Sequence, residues 1–290
     1  MNPKTLVDEI EHLVSLPDVC VKVNRLVDSP SYSARSVGEI VSRDTDLSAR
    51  LLRLVNSSFF GLRSQVDTIS RAIAIVGTNE LRNLVMATTA ARVFTGIPSD
   101  LVDMHIFWRH AIATGVIGRE LALRCNVLHS ERLFVMGMLH DIGRLVIYIT
   151  LADKARDILL ITGGNDWLLP ETERDVLGFT HMEVGAELLR KWNLPDALIA
   201  VVGEHHDPML AGDFCFETAL VHIAIGLANQ TVSGESLETV VSVIAPPIWE
   251  MTGLDLATLE TLMEGIPAKV NEVMELVLSS TPVSHKSTKT

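Results

Sequence analysis

The sequence predicts an all-α protein. Three observations carry this: apolar residues recur at helical spacing almost throughout, capping signatures precede several of those runs, and strand signals are missing. There is no alternating run of useful length and no Asn-Gly or Asp-Gly hairpin turn. With 290 residues, 48% hydrophobic and 21% charged, the chain has ordinary globular proportions and enough length to bury a sizeable core. Those proportions exclude a disordered tail, a collagen and a disulfide scaffold.

The elements follow in order. Leu6, Ile10, Leu13 and Val14 share one helical face, as do Val19, Val23, Leu26 and Val27. Ser36 with Glu39 has capping-box spacing ahead of the next apolar run. In DTDLSARLLRLVNSSFFG, Leu47, Leu51, Leu54 and Val55 face one way and Gly61 stops the pattern. SRAIAIVG and TNELRNLVMATTAARVF are two further helices. A break falls at TGIPSD, residues 95–100, where Gly and Pro interrupt the periodicity. Beyond it lie helices over 101–124 and 131–149, then one from His181 with Thr180 and Glu183 in capping-box spacing, halted at Pro195. Helices over 196–204, 218–230 and 257–278 complete the pattern, and the polar residues 280–290 are expected to fray. The division expected is an N-terminal helical part over 1–98, a second helical part over 99–279, and the tail.

Charge and cysteine narrow the function classes. Lys plus Arg number 24 against 36 Asp plus Glu, a formal net charge of −12. Such a surface repels phosphate backbones and argues against sequence-independent nucleic-acid binding, while leaving room for a local basic pocket. Cys20, Cys125 and Cys215 form no zinc-like spacing, and an odd, sparse count suits a reducing compartment. The N-terminus carries Asp8, Glu9 and Glu11 and is no signal peptide. No continuous apolar run reaches the ~18 residues of a membrane span, so the expected location is cytoplasmic with no membrane partner.

Histidine placement carries the chemistry. Of 10 histidines, His110, His181, the doublet His140-Asp141 and the doublet His205-His206 stand where neighbours make them candidate ligands. Imidazole and carboxylate suit borderline divalent ions such as Fe, Mn, Ni or Zn, and a shared carboxylate can bridge two of them. Adjacent residues on an intact helix diverge by about 100°, so each doublet reaches one centre only where its helix loosens or ends. Gly143 and Pro208 supply that loosening. The same side chains also suit a hydrogen-bonded polar core, whereas His12, His105, His129 and His285 read as solvated. Glu173 and Glu204 are candidate carboxylates for receiving an imidazole N–H, with Glu173 reading equally as a helix N-terminal charge, and Arg119, Arg144 and Lys191 read as solvated helix surface or, alternatively, as phosphate contacts. Phe59, Phe60 and Leu62 read as packing between the two parts, and Trp108 and Trp192 as its lining.

The order WRHA, GMLHDIGRL, FTHMEVGAELLRKWNLP and VVGEHH resembles the HD superfamily of metal-dependent phosphohydrolases. The front segments LPDVCVKVNRLVDSP, SVGEIVSRDTDLSARLLRLVNSSFFG, SRAIAIVG and TNELRNLV are similar to the HDOD family of bacterial signalling proteins, and the likeness covers about Leu16 to Asn229. The resemblance implies a multi-helical HD-type bundle with an N-terminal helical subdomain. It places His110, His140 and Asp141 at three metal-ligand positions and matches His181, His205 and His206 to the extra histidines of binuclear relatives. The family's closing Asp falls at Ile225, which cannot ligate, leaving His222 one turn earlier as a substitute. The GYP signature of cyclic-di-GMP phosphodiesterases is absent, since RLVIYITLADK follows HDIG.

Three functions follow as expectations. The first is a regulatory module acting through protein partners of a signalling pathway, with a degenerate site holding one divalent transition metal rather than two. The second is a metal-dependent phosphohydrolase on nucleotides or cyclic nucleotides, with Asp141 catalytic. The third is a switch sensing a metal or a nucleotide ligand. The 15 residues before Leu16 are too few for a receiver or helix-turn-helix domain, so an input is expected from another chain or a ligand. The stretch 244–278 is a candidate partner surface, with capping of the core as the alternative.

Overall fold

The computed structural model describes residues 2–10, 16–27, 29, 33–94, 97–233 and 236–278, which form helices joined by turns, with no strand among them. The expectations for His12, His285 and the tail 280–290 lie outside the described residues.

Six helices make the front of the molecule: α1 (Pro3–Glu9), α2 (Asp18–Val27), α3 (Ala34–Val41), α4 (Thr45–Val55), α5 (Ile69–Val76) and α6 (Thr78–Val93). Asn2, Ser33, Asp44 and Thr68 cap α1, α3, α4 and α5 through side-chain oxygens. The box of α3 is therefore Ser33 with Ser36, not Ser36 with Glu39: Ser36 already stands at the third helical position, and Glu39 pairs with Arg35 at 3.2 Å. Gly77, at φ +92°, turns α5 directly into α6, a conformation that favours glycine. Every residue from Leu81 to Ala90 is buried, so α6 runs through the middle of the molecule.

The second group holds α7 (Met104–Arg124), α8 (Glu131–Leu139), α9 (Ile142–Thr150), α10 (Ala152–Thr162), α11 (Leu169–Leu177), α12 (His181–Lys191), α13 (Asp196–Glu204) and α14 (Cys215–Ser233). A single helix over 131–149 is not formed; it breaks at His140-Asp141. α7 and α8 cross closely because Gly115 and Gly137 meet: a Cβ on Gly137 would stand 2.7 Å from Gly115 Cα. The segment Glu131–Thr150 is long and apolar enough to span a membrane by length and composition, yet 83% of its 18-residue window is buried inside the fold.

The C-terminal helices are α15 (Leu237–Val243), α16 (Pro246–Thr252), α17 (Leu256–Met263) and α18 (Ile266–Leu278). The helix expected over 257–278 is interrupted between α17 and α18, where Gly265 precedes Pro267 in the first turn of α18. α18 packs on α7, α4 and α6 and so caps the core. Its Glu272 accepts from Ser58 N at 2.9 Å and from the Ser58 hydroxyl.

The front helices join the rest through buried contacts. Phe59 lies 5.1 Å from Phe134 between ring centroids, and the Arg119 guanidinium sits 4.5 Å over the Phe59 ring while donating to the Phe59 carbonyl at 2.6 Å. Arg119 is thus a buried joint rather than solvated surface. Asn24 donates to the Trp192 carbonyl at 2.7 Å. One hydrophobic cluster runs continuously from Leu6 to Val277.

Candidate metal centre

The chain delivers candidate ligands from four places. His110 stands on α7. α8 ends at Leu139; His140 keeps helical angles, and Asp141, at φ −95° and ψ 11°, does not. That break turns two adjacent side chains toward one centre. Gly143 contributes differently from the expected loosening: a Cβ there would meet the His181 carbonyl oxygen at 2.0 Å and Gly185 N at 2.6 Å. Its hydrogen lets α9 and α12 touch, which brings His181 beside Asp141. The Thr180–Glu183 box fixes the start of α12, and α13 ends at Glu204, where His205 and His206 meet His181.

Ring orientation is set by hydrogen bonds at Nδ1. His140 Nδ1 bonds the Gly137 carbonyl at 2.6 Å, His205 Nδ1 the Val202 carbonyl at 3.0 Å, and His181 Nδ1 the Glu173 carboxylate at 2.6 Å. Each Nδ1 thereby carries the proton, and each Nε2 turns a lone pair inward. His181 Nε2 stands 3.3 Å from His205 Nε2; Asp141 Oδ1 stands 3.4 Å from the first and 3.9 Å from the second. Two lone pairs at that distance repel unless a proton or a cation lies between them. The ligand atoms of His181, His205 and His206 all lie within 4.8 Å of one another, as do those of His110, His140 and Asp141. His110 Nε2 is buried without a hydrogen-bond partner.

The cluster is largely buried. His181 and His205 are 0% exposed, His140 1% and Asp141 4%, with only His110 and His206 partly open. Burial drives His140 down to about 4, against the pull of Asp141, and also pushes His205 and His206 down. His181 goes the other way: burial opposes its charge, but the Glu173 carboxylate overcomes it and raises the ring. Burial likewise opposes the Asp141 carboxylate, yet Arg144 and the surrounding imidazoles hold it well below the usual range.

Several residues take places that spacing did not give. Arg144 is partly buried, its side chain 13% exposed; its Nη1 donates to Asp141 Oδ2 at 2.8 Å and to Asp166 Oδ1 at 3.2 Å, and its Nε donates to the Tyr148 hydroxyl at 3.0 Å. Trp167 rests over His206 and His222 at 6.1 and 5.1 Å between ring centroids. Neither Asp166 nor Trp167 is marked by sequence, because both arrive through the turn after α10. The Glu173 carboxylate accepts from His181 Nδ1 at 2.6 Å and from His181 N at 2.7 Å. Glu204 instead lines a surface groove with Glu183, Asp213 and neighbours, away from the imidazoles. His222 stands behind the cluster, with Nδ1 on the His205 carbonyl at 2.7 Å, so it steadies that backbone. Ile225, one turn further along α14, is buried at 3% exposure among apolar side chains.

The HDOD domain family matches residues 13–208 of the chain. The chain belongs to the HDOD family. A solved structure from Shewanella amazonensis named "putative phosphohydrolase" is 26% identical with a TM-score of 0.70, covering 94% of this HDOD chain and 96% of that one. An HDOD domain protein of unknown function from Geobacter sulfurreducens, 21% identical, shares the fold with a TM-score of 0.73 over 95% of this chain and 98% of its own. A Treponema pallidum relative named as an uncharacterized protein is 28% identical over 208 residues; the match takes in 70% of this HDOD chain and 39% of that protein's length.

Proposed function

We propose that this HDOD protein is a regulatory module that acts by binding, and that its histidine cluster holds one divalent transition metal as a structural tie rather than as a hydrolytic centre. The burial of the cluster carries this reading. Structural metal sites are closed, whereas catalytic sites keep an open position for water and substrate. His140, Asp141, His181 and His205 are exposed by only 0–4%, so the partly open His110 and His206 are the outward members of the cluster.

The donor set fits an ion. The edges of 3.3, 3.4 and 3.9 Å among His181 Nε2, His205 Nε2 and Asp141 Oδ1 are those expected around a divalent ion with bonds of roughly 2.0–2.2 Å. The ligand atom of His206 lies within 4.8 Å of those of His181 and His205 and adds a third imidazole at this position. The orphaned His110 Nε2, with His140 and the other Asp141 oxygen, marks the second position, which Ile225 leaves a carboxylate short. Charge favours a single ion: Asp141 and Asp166 share one guanidinium, Arg144, while Glu173 is taken up by His181, so there is little carboxylate left to balance a second divalent ion. Two would leave buried positive charge uncompensated.

A bound divalent ion supplies Lewis acidity and lowers the pKa of any water it carries. The chain's own residues do the rest. Glu173, and the carbonyls of Gly137 and Val202, present Nε2 of three rings. Asp141 faces both positions, and Arg144 fixes its carboxylate. Tied together in this way are the α8–α9 break, the start of α12 and the end of α13, a node through which a protein partner or a nucleotide ligand would act on the bundle.

The test is hydrolysis of bis-p-nitrophenyl phosphate and a nucleotide panel with added Mn or Fe, comparing the native protein with Asp141→Ala. The expected result is no turnover that depends on Asp141. Turnover abolished by that substitution would establish a phosphohydrolase instead. Ile225→Asp should raise metal content if the vacant position is otherwise preserved.

A further inference from the structure

In the trio His181, His205 and His206, only His206 is partly open, and a short strap of chain lies against it. α10 ends at Thr162, α11 begins at Leu169, and residues 163–168 cross between them, closing with a 3-10 turn over Asp166–Leu168. Trp167 of this strap stands edge-on to His206 and His222, 6.1 and 5.1 Å away between ring centroids. Its ring also rests on α14 where Gly226 is bare: a Cβ there would lie 3.7 Å from it. Trp167 is itself only half-buried, so it forms the outer layer over these two imidazoles.

The strap is attached unevenly. At the α11 end the buried Leu169 anchors it, with Pro170 in the first turn of that helix. At the α10 end Gly163 and Gly164 both take left-handed angles, φ +58° and +84°, and a Cβ on either would meet nothing within 4 Å. Two successive glycines in open space turn at little steric cost. Within the strap, Asn165 Oδ1 accepts from Trp167 N at 3.0 Å and the Asn165 carbonyl accepts from Leu168 N at 3.2 Å, so the turn holds its own shape. Among the described residues, one hydrogen bond ties that turn to α9: Arg144 Nη1 donates to Asp166 Oδ1 at 3.2 Å. The same nitrogen donates to Asp141 Oδ2 at 2.8 Å, so Arg144 keeps a carboxylate partner when Asp166 leaves. The Asp166 side chain is 20% exposed and has water to turn to, so parting the pair strands neither charge.

We infer that residues 163–168 form a hinged gate over the histidine cluster, latched by Asp166 on Arg144, with Trp167 as the part that blocks His206 and His222. His181 and His205 are 0% exposed, so an ion reaches them only through a motion that uncovers them, and a metal site needs such an entry path. The glycine pair, the single latch and the ring at the mouth supply one. Opening moves a short turn and leaves α9, α12 and α13 in place, so the latch sets how fast an ion exchanges rather than how tightly it is held. For ion exchange the gate rests on the metal reading; as a cover over the imidazoles it does not.

The gate is tested first on the full chain freed of metal with EDTA. Diethyl pyrocarbonate modifies the imidazoles, and each histidine is followed by peptide mass spectrometry with the exposed His105 and His129 as internal references. Relative to these, His206 and His222 should react roughly fivefold faster or more in Asp166→Ala, the worth of one charge-assisted hydrogen bond, and faster still in Trp167→Ala. Trp167→Phe keeps a ring at the mouth and should stay near the native rate. Equal rates in the native chain and Asp166→Ala would overturn the gate. So would a parallel rise in alkylation of Cys20, which is buried in the front helices and reports general unfolding. A second arm loads zinc and times its transfer to 4-(2-pyridylazo)resorcinol: Asp166→Ala should release it faster by a similar factor with zinc content unchanged, and an unchanged release rate would contradict the gate. A chain that holds no zinc would refute the metal reading and leave the first arm to decide.

Discussion

Asp141 is the residue on which the site turns. Its two oxygens divide the cluster: Oδ1 faces His181 and His205, while Oδ2 meets Arg144 and stands 3.5 Å from His140 Nε2. The six ligand candidates were legible in the sequence because their residue types are few and their doublets fall at helix ends. Glu173 was legible as a carboxylate near His181. Arg144 was not, since its neighbour in the chain is Asp141 but its burial comes from α10 and the turn at Asp166. The imidazoles also set a pH dependence. His140 takes up a proton near 6.5 when unfolded but only near about 4 when folded, so the stability it confers is complete above 6.5 and is lost as pH falls toward 4. His205, His206 and His222 are lowered too and act in the same direction, while His181, raised by Glu173, opposes them. His140 alone accounts for on the order of 3 kcal/mol. Urea unfolding of EDTA-treated protein at pH 7.5 and pH 4.5 should therefore show a loss of that order or more at the lower pH; equal stability would contradict the buried neutral rings.

At the scale of elements, helix existence followed from periodicity, whereas boundaries depended on which oxygen reaches which N–H. Ser33 rather than Ser36 caps α3 because capping needs the oxygen one residue before the helix, and Ser33 and Ser36 both suit that role on paper. The interruption before α18 had its signal in Gly265 and Pro267, masked by apolar residues that continue the helical pattern on both sides. Gly143 shows the limit of spacing most clearly, since its need comes from α12, nearly forty residues away. Gly143→Ala should cost about 3 kcal/mol or more, as its Cβ would strike backbone atoms of α12 that cannot yield. Gly203→Ala is the matched control, because its Cβ would meet only the Ala186 methyl at 3.4 Å and a helix interior gains up to about 1 kcal/mol from the change. Denaturant unfolding of the two variants should separate them; similar losses would refute the close crossing.

Across the whole molecule, one hydrophobic core joins the front helices to the bundle, and the histidine cluster sits against it. The all-α class and the family were readable because motifs in several segments occur in one order. The burial of most of the cluster was not, because it depends on α14, on Trp167 and on α9 meeting α12, none of which is local. The most direct test is metal content of protein purified without a polyhistidine tag, measured by plasma mass spectrometry on the native chain, His205→Ala and His110→Ala. The account predicts about one equivalent of transition metal per chain, lost in His205→Ala and kept in His110→Ala. Two equivalents, or less than a tenth of one, would contradict it.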